Sequence, residues 1–191
     1  MKTTDQILKI RATVLYILEK FPSGVDYIKL FKILYFAQRE HLVRYGRVII
    51  DDSFQARKLG PVSGFVRKSL KLIELSETLP PDISMFGKGI HITPGPDCQT
   101  IRSGEKPDLD ELSASETRCL DMYISKFRYM DSDAVSKLSH EDKAWQRAFG
   151  RADNDPQQRY MTILEIAKAG GATPNTLAYI KENLELDQAL N

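Results

Sequence analysis

KLFKILYFAQREHLVRYGRVIIDDSFQARKLGPVSGFVRKSL, residues 29–70, decides how this chain folds. Its first half is apolar on nearly every helical face: Leu30, Phe31, Ile33, Leu34, Tyr35, Phe36 and Ala37. A helix apolar all round is buried on several sides. The apolar-rich run is about 12 residues long, well short of the ~20 that cross a bilayer, so it predicts a central helix of a globular core over residues 26–45. Lys29 and Lys32 lie on its early turns, Gln38, Arg39, Glu40 and Arg44 are expected to reach solvent near its end, and Gly46 should stop it. Val48-Ile49-Ile50 then reads as a β-branched run and Asp51-Asp52-Ser53 as a turn, with Phe54–Arg57 as the paired strand. Gly60-Pro61 predicts the start of a third helix, because proline at the first helical position has no N–H to lose and a φ already helical. That helix has Val62, Phe65, Val66, Leu70 and Ile73 on its apolar stripe and Arg67, Lys68 and Lys71 on the other side.

Working outward, residues 4–20 carry apolar residues at spacings of three and four (Ile7, Ile10, Val14, Ile17, Leu18), the pattern of an amphipathic helix. Phe21-Pro22-Ser23-Gly24 ends it. Residues 76–112 are broken by prolines and glycines. Ile90-His91-Ile92 and Cys98–Ile101 predict a small hairpin, turned at Pro94–Asp97 and inserted between helices, since a loop that long without structure is unusual inside a domain. Ser113-Ala114-Ser115-Glu116 has the spacing of a capping box. Asp131-Ser132-Asp133 opens a short helix through Leu138, and Ser139 is expected to cap another, with His140, Glu141 and Asp142 in its first turn and Trp145 beyond. A polar loop over 151–159 and helices over 161–169 and 174–190 complete the chain. The expected fold is mainly α (α+β), one domain over residues 1–191.

Composition sets the class. At 191 residues, 42% hydrophobic and 28% charged, the chain has the make-up of a soluble globular protein. Two cysteines, Cys98 and Cys119, are too few for a secreted disulfide framework and are expected to be reduced. The opening residues do not read as a signal peptide and no segment as a membrane span, so a cytoplasmic location without membrane attachment is expected. Charge is uneven. Residues 1–75 hold 14 Lys+Arg and 7 Asp+Glu, 14 − 7 = +7, which leaves −6 on the remainder and a net charge of +1. A basic half can face nucleic acid or an acidic partner, although no run of basic residues is long enough to form a tail.

The chain is poor in catalytic patterns. His41, His91 and His140 lack the spacing of a zinc helix, the cysteines form no CxxC, and there is no phosphate-binding glycine loop. In Gly60-Pro61-Val62-Ser63-Gly64 the serine falls one position late for a nucleophile elbow. Neither an active site, a metal nor a cofactor is expected. Trp145, the one tryptophan, suits either a core position or a partner anchor.

Taken together, these segments resemble one family. Lys32–Gln38 is similar to the KLLYFAQ helix of the phage-associated Panacea domain, the SocA-like antitoxin family. Gly46, Phe54, Ala56, Lys58 and Gly60-Pro61-Val62 resemble its G-p-l … F-x-A-W-x-Y-G-P-V segment, and Leu138-Ser139-His140 with Trp145 its L-S-H … W segment. The resemblance covers residues 5–150, which leaves 151–191 as a helical extension packed on that core. Two positions depart from it: Arg57 stands where the family has tryptophan, and Leu59 where it has tyrosine.

The resemblance implies a helical domain with a small β element that binds and does not catalyse. It implies an antitoxin that neutralises a cognate toxin of a bacterial or prophage pair, or an adaptor that presents the toxin to a bacterial AAA+ protease. The alternative is a regulator that binds operator DNA through the basic N-terminal half. The residues expected to meet a partner are Arg57, Lys58, Gly60, Pro61, Arg67, Lys68 and Trp145.

Overall fold

The computed structural model describes residues 2–76, 78–95 and 99–190. In chain order these form α1 (Thr4–Glu19), β1 (Val25–Asp26), α2 (Tyr27–Tyr45), β2 (Phe54–Arg57), β3 (Gly60–Ser63), α3 (Gly64–Leu75), α4 (Pro81–Gly87), β4 (Ile90–Thr93) and β5 (Thr100–Ser103). A 3-10 turn (Leu109–Glu111) leads to α5 (Ala114–Phe127), α6 (Ser132–Ser139) and α7 (Lys143–Asn154). A second 3-10 turn (Pro156–Arg159), β6 (Tyr160–Met161), α8 (Ile163–Ala169) and α9 (Pro174–Leu190) follow. The fold is mainly helical with two small antiparallel sheets, as the residue pattern predicts.

α2 is the axis. Asp26 caps it by accepting from the Lys29 amide at 2.9 Å, and Gly46 ends it in the left-handed conformation at φ 65°. Its burial extends beyond the apolar run to Lys32, Gln38 and His41. Phe36 packs on α5 against Tyr123 and Phe127, with ring centroids 5.5 Å apart in both pairs. α1 lays Ile10, Val14 and Ile17 into the same apolar cluster, and both predicted capping-box residues of α5, Ser113 and Glu116, bond reciprocally. Cys119 of α5 is buried in this core.

The expected hairpin within 76–112 is present: Ile92 of β4 pairs with Ile101 of β5, and Val25 of β1 adds a third strand. The positions of Pro96, Asp97 and Cys98 in its predicted turn and strand lie outside the described residues. α4 was not anticipated. It packs on α1 and α3 with Ile83 and Phe86 buried, the latter edge-on to Phe65.

Four local expectations are corrected. Val48–Ile50 does not pair with Phe54–Arg57. Gln38, expected at the surface, is buried there and takes the partner's place: its Oε1 accepts from the Ile49 and Ile50 amides at 2.8 and 3.1 Å, and its Nε2 donates to the Ile50 carbonyl. Secondly, Gly60-Pro61 does not start a helix. Phe54–Arg57 turns back on Gly60–Ser63 through Lys58-Leu59, with Ala56 opposite Pro61, and β3 lies at the sheet edge, where a missing N–H costs no ladder bond. The third helix begins at Gly64, and Asp52 caps it from outside by accepting from the Phe65 amide. Thirdly, the cap of α7 is Asp142, not Ser139, which closes α6. Finally, the 151–159 loop is mostly helical, and residues 160–161 form β6, which pairs Tyr160 with Gln55 and Met161 with Phe54.

Candidate functional site

The β2–β3 hairpin is where the scattered motifs converge. Three of its carbonyls are held by side chains from three different helices. Lys32 Nζ of α2 donates to Pro61 at 3.1 Å, the Ser136 hydroxyl of α6 to Leu59 at 3.1 Å, and the Trp145 indole N–H of α7 to Arg57 at 3.0 Å. Side-chain donors satisfy turn carbonyls that would otherwise need water, and they fix the direction in which the turn points. Gly60, at φ 100°, crosses directly over this point: a Cβ there would lie 2.1 Å from Ser139 Oγ and 2.5 Å from Lys32 Cε. Only glycine tolerates both that conformation and that closeness.

Beneath the hairpin lies a charged network. Asp142 accepts from Tyr35 at 2.8 Å, from Arg39 at 2.7 Å, and from the Ala144 and Trp145 amides at 2.9 Å each. Burial, and then the Asp142 carboxylate, push the Tyr35 phenol well above its ordinary pKa. Burial works against the Arg39 charge, but the Asp142 bond outweighs it and holds the guanidinium pKa up. Trp145 stacks between His140 and Phe149, at 4.3 and 4.8 Å. The His140-Glu141-Asp142 triplet therefore serves packing and capping. The Ser63 hydroxyl donates to Asp52, bracing the entry to α3. Among the described residues, no group of three His, Cys, Asp or Glu side chains is placed to hold a metal.

Lys32 is 1% exposed, and its Nζ donates to the Pro61 carbonyl. Burial brings its pKa down to about 7, with Asp26 opposing.

The outer side of the hairpin is different in kind. Gln55 and Arg57 face away from the core on β2, with Tyr160 of β6 beside Gln55. The Arg57 guanidinium donates to Gln55 Oε1 at 2.8 Å, while its Nε is buried without a partner among the described residues. Burial, then the charges of Arg67 and Arg159, lower its pKa. Two further guanidiniums thus stand close enough to Arg57 to act on its charge. Lys58 and Lys68 are exposed around them, Leu59 at the hairpin tip is 51% exposed and Tyr160 49%. No carboxylate pairs with Arg57, Lys58, Arg67, Lys68 or Arg159 among the described residues.

Of the residues expected to meet a partner, Arg57, Lys58, Arg67 and Lys68 are on this face. Gly60, Pro61 and Trp145 are inside, and they shape the face by holding the turn. Sequence reasoning missed Lys32, Ser136, Arg159 and Tyr160. A lysine flanked by apolar residues on every side was a legible sign of burial at Lys32. Nothing local marks Arg159 or Tyr160, which arrive at the end of a 3-10 turn and the start of a two-residue strand.

A family model described as "Antitoxin SocA-like, Panacea domain" matches residues 30–146. No curated protein and no solved structure gives a match.

Proposed function

The chain belongs to the SocA-like antitoxin family of Panacea domains, and from that membership we propose that it binds and neutralises a toxin encoded beside it. The observation that carries this reading is the family match. What accords with it is that the matched residues Lys32, Gly60, Pro61 and Trp145 meet at one hairpin and present an outward face. The role is binding rather than catalysis. The mechanism is occlusion: the toxin docks against Arg57, Lys58, Arg67 and Lys68, and its working surface is covered.

Arg57 and Leu59, the two departures from the family's aromatics, stand at or beside this face, so they are where this member's choice of toxin is set. Leu59 offers an aliphatic tip, and Arg57 a charge where the family offers an indole. In the same reading the whole of residues 1–191 acts as one unit in the cytoplasm, and delivery of the toxin to an AAA+ protease is a further outcome of the same docking. No helix among the described residues is long and apolar enough to cross a membrane.

Co-expression with the neighbouring gene tests the proposal. Growth rescue and a co-purified complex are the expected results; the absence of both sinks it. Toxin half-life with and without the protein, in cells with and without the protease, separates simple occlusion from the adaptor role.

A further inference from the structure

Arg67 of α3 stands between two surface features. On one side are Arg57, whose hold on its proton the charges of Arg67 and Arg159 weaken, and the exposed side chains of Tyr160 and Leu59. On the other is a depression of about 430 Å³ floored by Phe31 and Tyr27 and walled by Leu75 and Lys71. The two floor rings stack with centroids 6.2 Å apart and planes 14° from parallel. Leu75 is 67% exposed, so the wall is an apolar side chain left in water. The acid at this depression, Glu74, is already engaged: Tyr27 donates to it at 3.2 Å and Gln99 donates to its other oxygen. Glu74 keeps its charge at this rim, while Arg67 and Lys71 have no carboxylate partner among the described residues and leave the rim with an excess of positive charge.

We propose that this face is the docking surface for an acidic protein segment carrying an apolar anchor. The carboxylates lie against Arg57, Arg67 and Arg159, and the anchor enters the Tyr27–Phe31 depression. Guanidiniums without counter-ions among the described residues gain from a carboxylate that a partner supplies. An aromatic-floored hollow beside them gains from an apolar side chain and gives it a register.

The shape of the face favours a protein segment over nucleic acid. A row of phosphates makes no use of the hollow or of Leu75. The antitoxin reading enters only in naming the partner as the toxin.

The test uses the full chain and fluorescence anisotropy. The probes are a labelled glutamate-rich peptide carrying one leucine–phenylalanine pair, the same peptide with lysine for glutamate, the same with serine for the apolar pair, and a labelled DNA duplex. The glutamate-rich peptide should bind best. Arg67→Glu should weaken it about tenfold, while Lys181→Glu, the same charge change on α9, should leave it unaltered. Leu75→Ser should weaken the apolar-bearing peptide about threefold and leave the serine version unmoved. Circular dichroism and melting temperature confirm that the variants fold alike. Equal binding of the lysine peptide, indifference to Arg67→Glu, or DNA bound as tightly as the peptide would each overturn the proposal. Growth rescue judges the antitoxin reading independently. If rescue succeeds and the peptide series fails, this surface is wrong and the antitoxin role stands; the reverse pattern keeps the surface and removes the role.

Discussion

Lys32 shows how one residue links the core to the face above it. Its ammonium is drawn out of water by an otherwise apolar helix and anchors the Pro61 carbonyl at the base of the hairpin. Burial disfavours the charged form, so the folded pKa is about 7, against about 10.4 in the unfolded chain. Between those values the unfolded state binds the additional proton, and stability therefore rises with pH. The cost of burying the charge is full below pH 7 and fades as pH climbs toward 10. The buried tyrosines act in the opposite sense, since raised phenol pKa values withdraw stability above about pH 10. Urea unfolding at pH 7 and pH 9 should show the wild type gaining stability with pH, and Lys32→Met should flatten the gain. An unchanged slope in the variant would assign the pH dependence elsewhere. That Lys32 belongs to the core was legible in its neighbours, Phe31 and Ile33; that it meets Pro61 was not.

At the scale of elements, Gln38 explains why the segment after α2 is not a strand. Val48–Ile50 has β-branched residues enough to pair, yet a single side-chain amide satisfies two of its amides and one carbonyl. Three hydrogen bonds to one buried residue take half of the backbone groups that a ladder with Phe54–Arg57 would need, and those residues pair with Gly60–Ser63 instead. Gln38→Leu should cost about 3 kcal/mol, because it strands buried backbone groups and does not simply delete contacts. Chemical denaturation measures it, and a loss below about 1 kcal/mol would mean that water replaces the amide. The same competition decided Gly60-Pro61. Sequence rules that favour proline at a helix start also permit it on an edge strand, and only the neighbouring β2 chooses between them.

Across the whole molecule, the segment after the family match is not an ornament. β6 completes the second sheet, and α8 buries Ile166 and Ala167 against the core. α9 contributes less: Ile180 is buried, with Leu177 and Leu184 packed at the margin. Removing residues 174–191 should leave a cooperatively folding chain weaker by about 3 kcal/mol, on the scale of burying one or two large apolar side chains. Removing 151–191 should abolish the cooperative transition, because β2 then loses a neighbour and α2 a covering helix. Melting curves of the two truncations check both, and a cooperative transition in the shorter chain would contradict this account. By itself the sequence determined the elements whose signals are local: the apolar axis of α2, its glycine stop, the capping box of α5, and the hairpin of the first sheet. These rest on periodicity and on backbone groups satisfied within a few residues. Only the tertiary structure decided what Gln38, Lys32, Asp142 and Trp145 bond to, and that Arg57, Arg67 and Arg159 stand together. Those pairings are set by which helices cross over the hairpin, and no spacing along the chain encodes a contact made through packing.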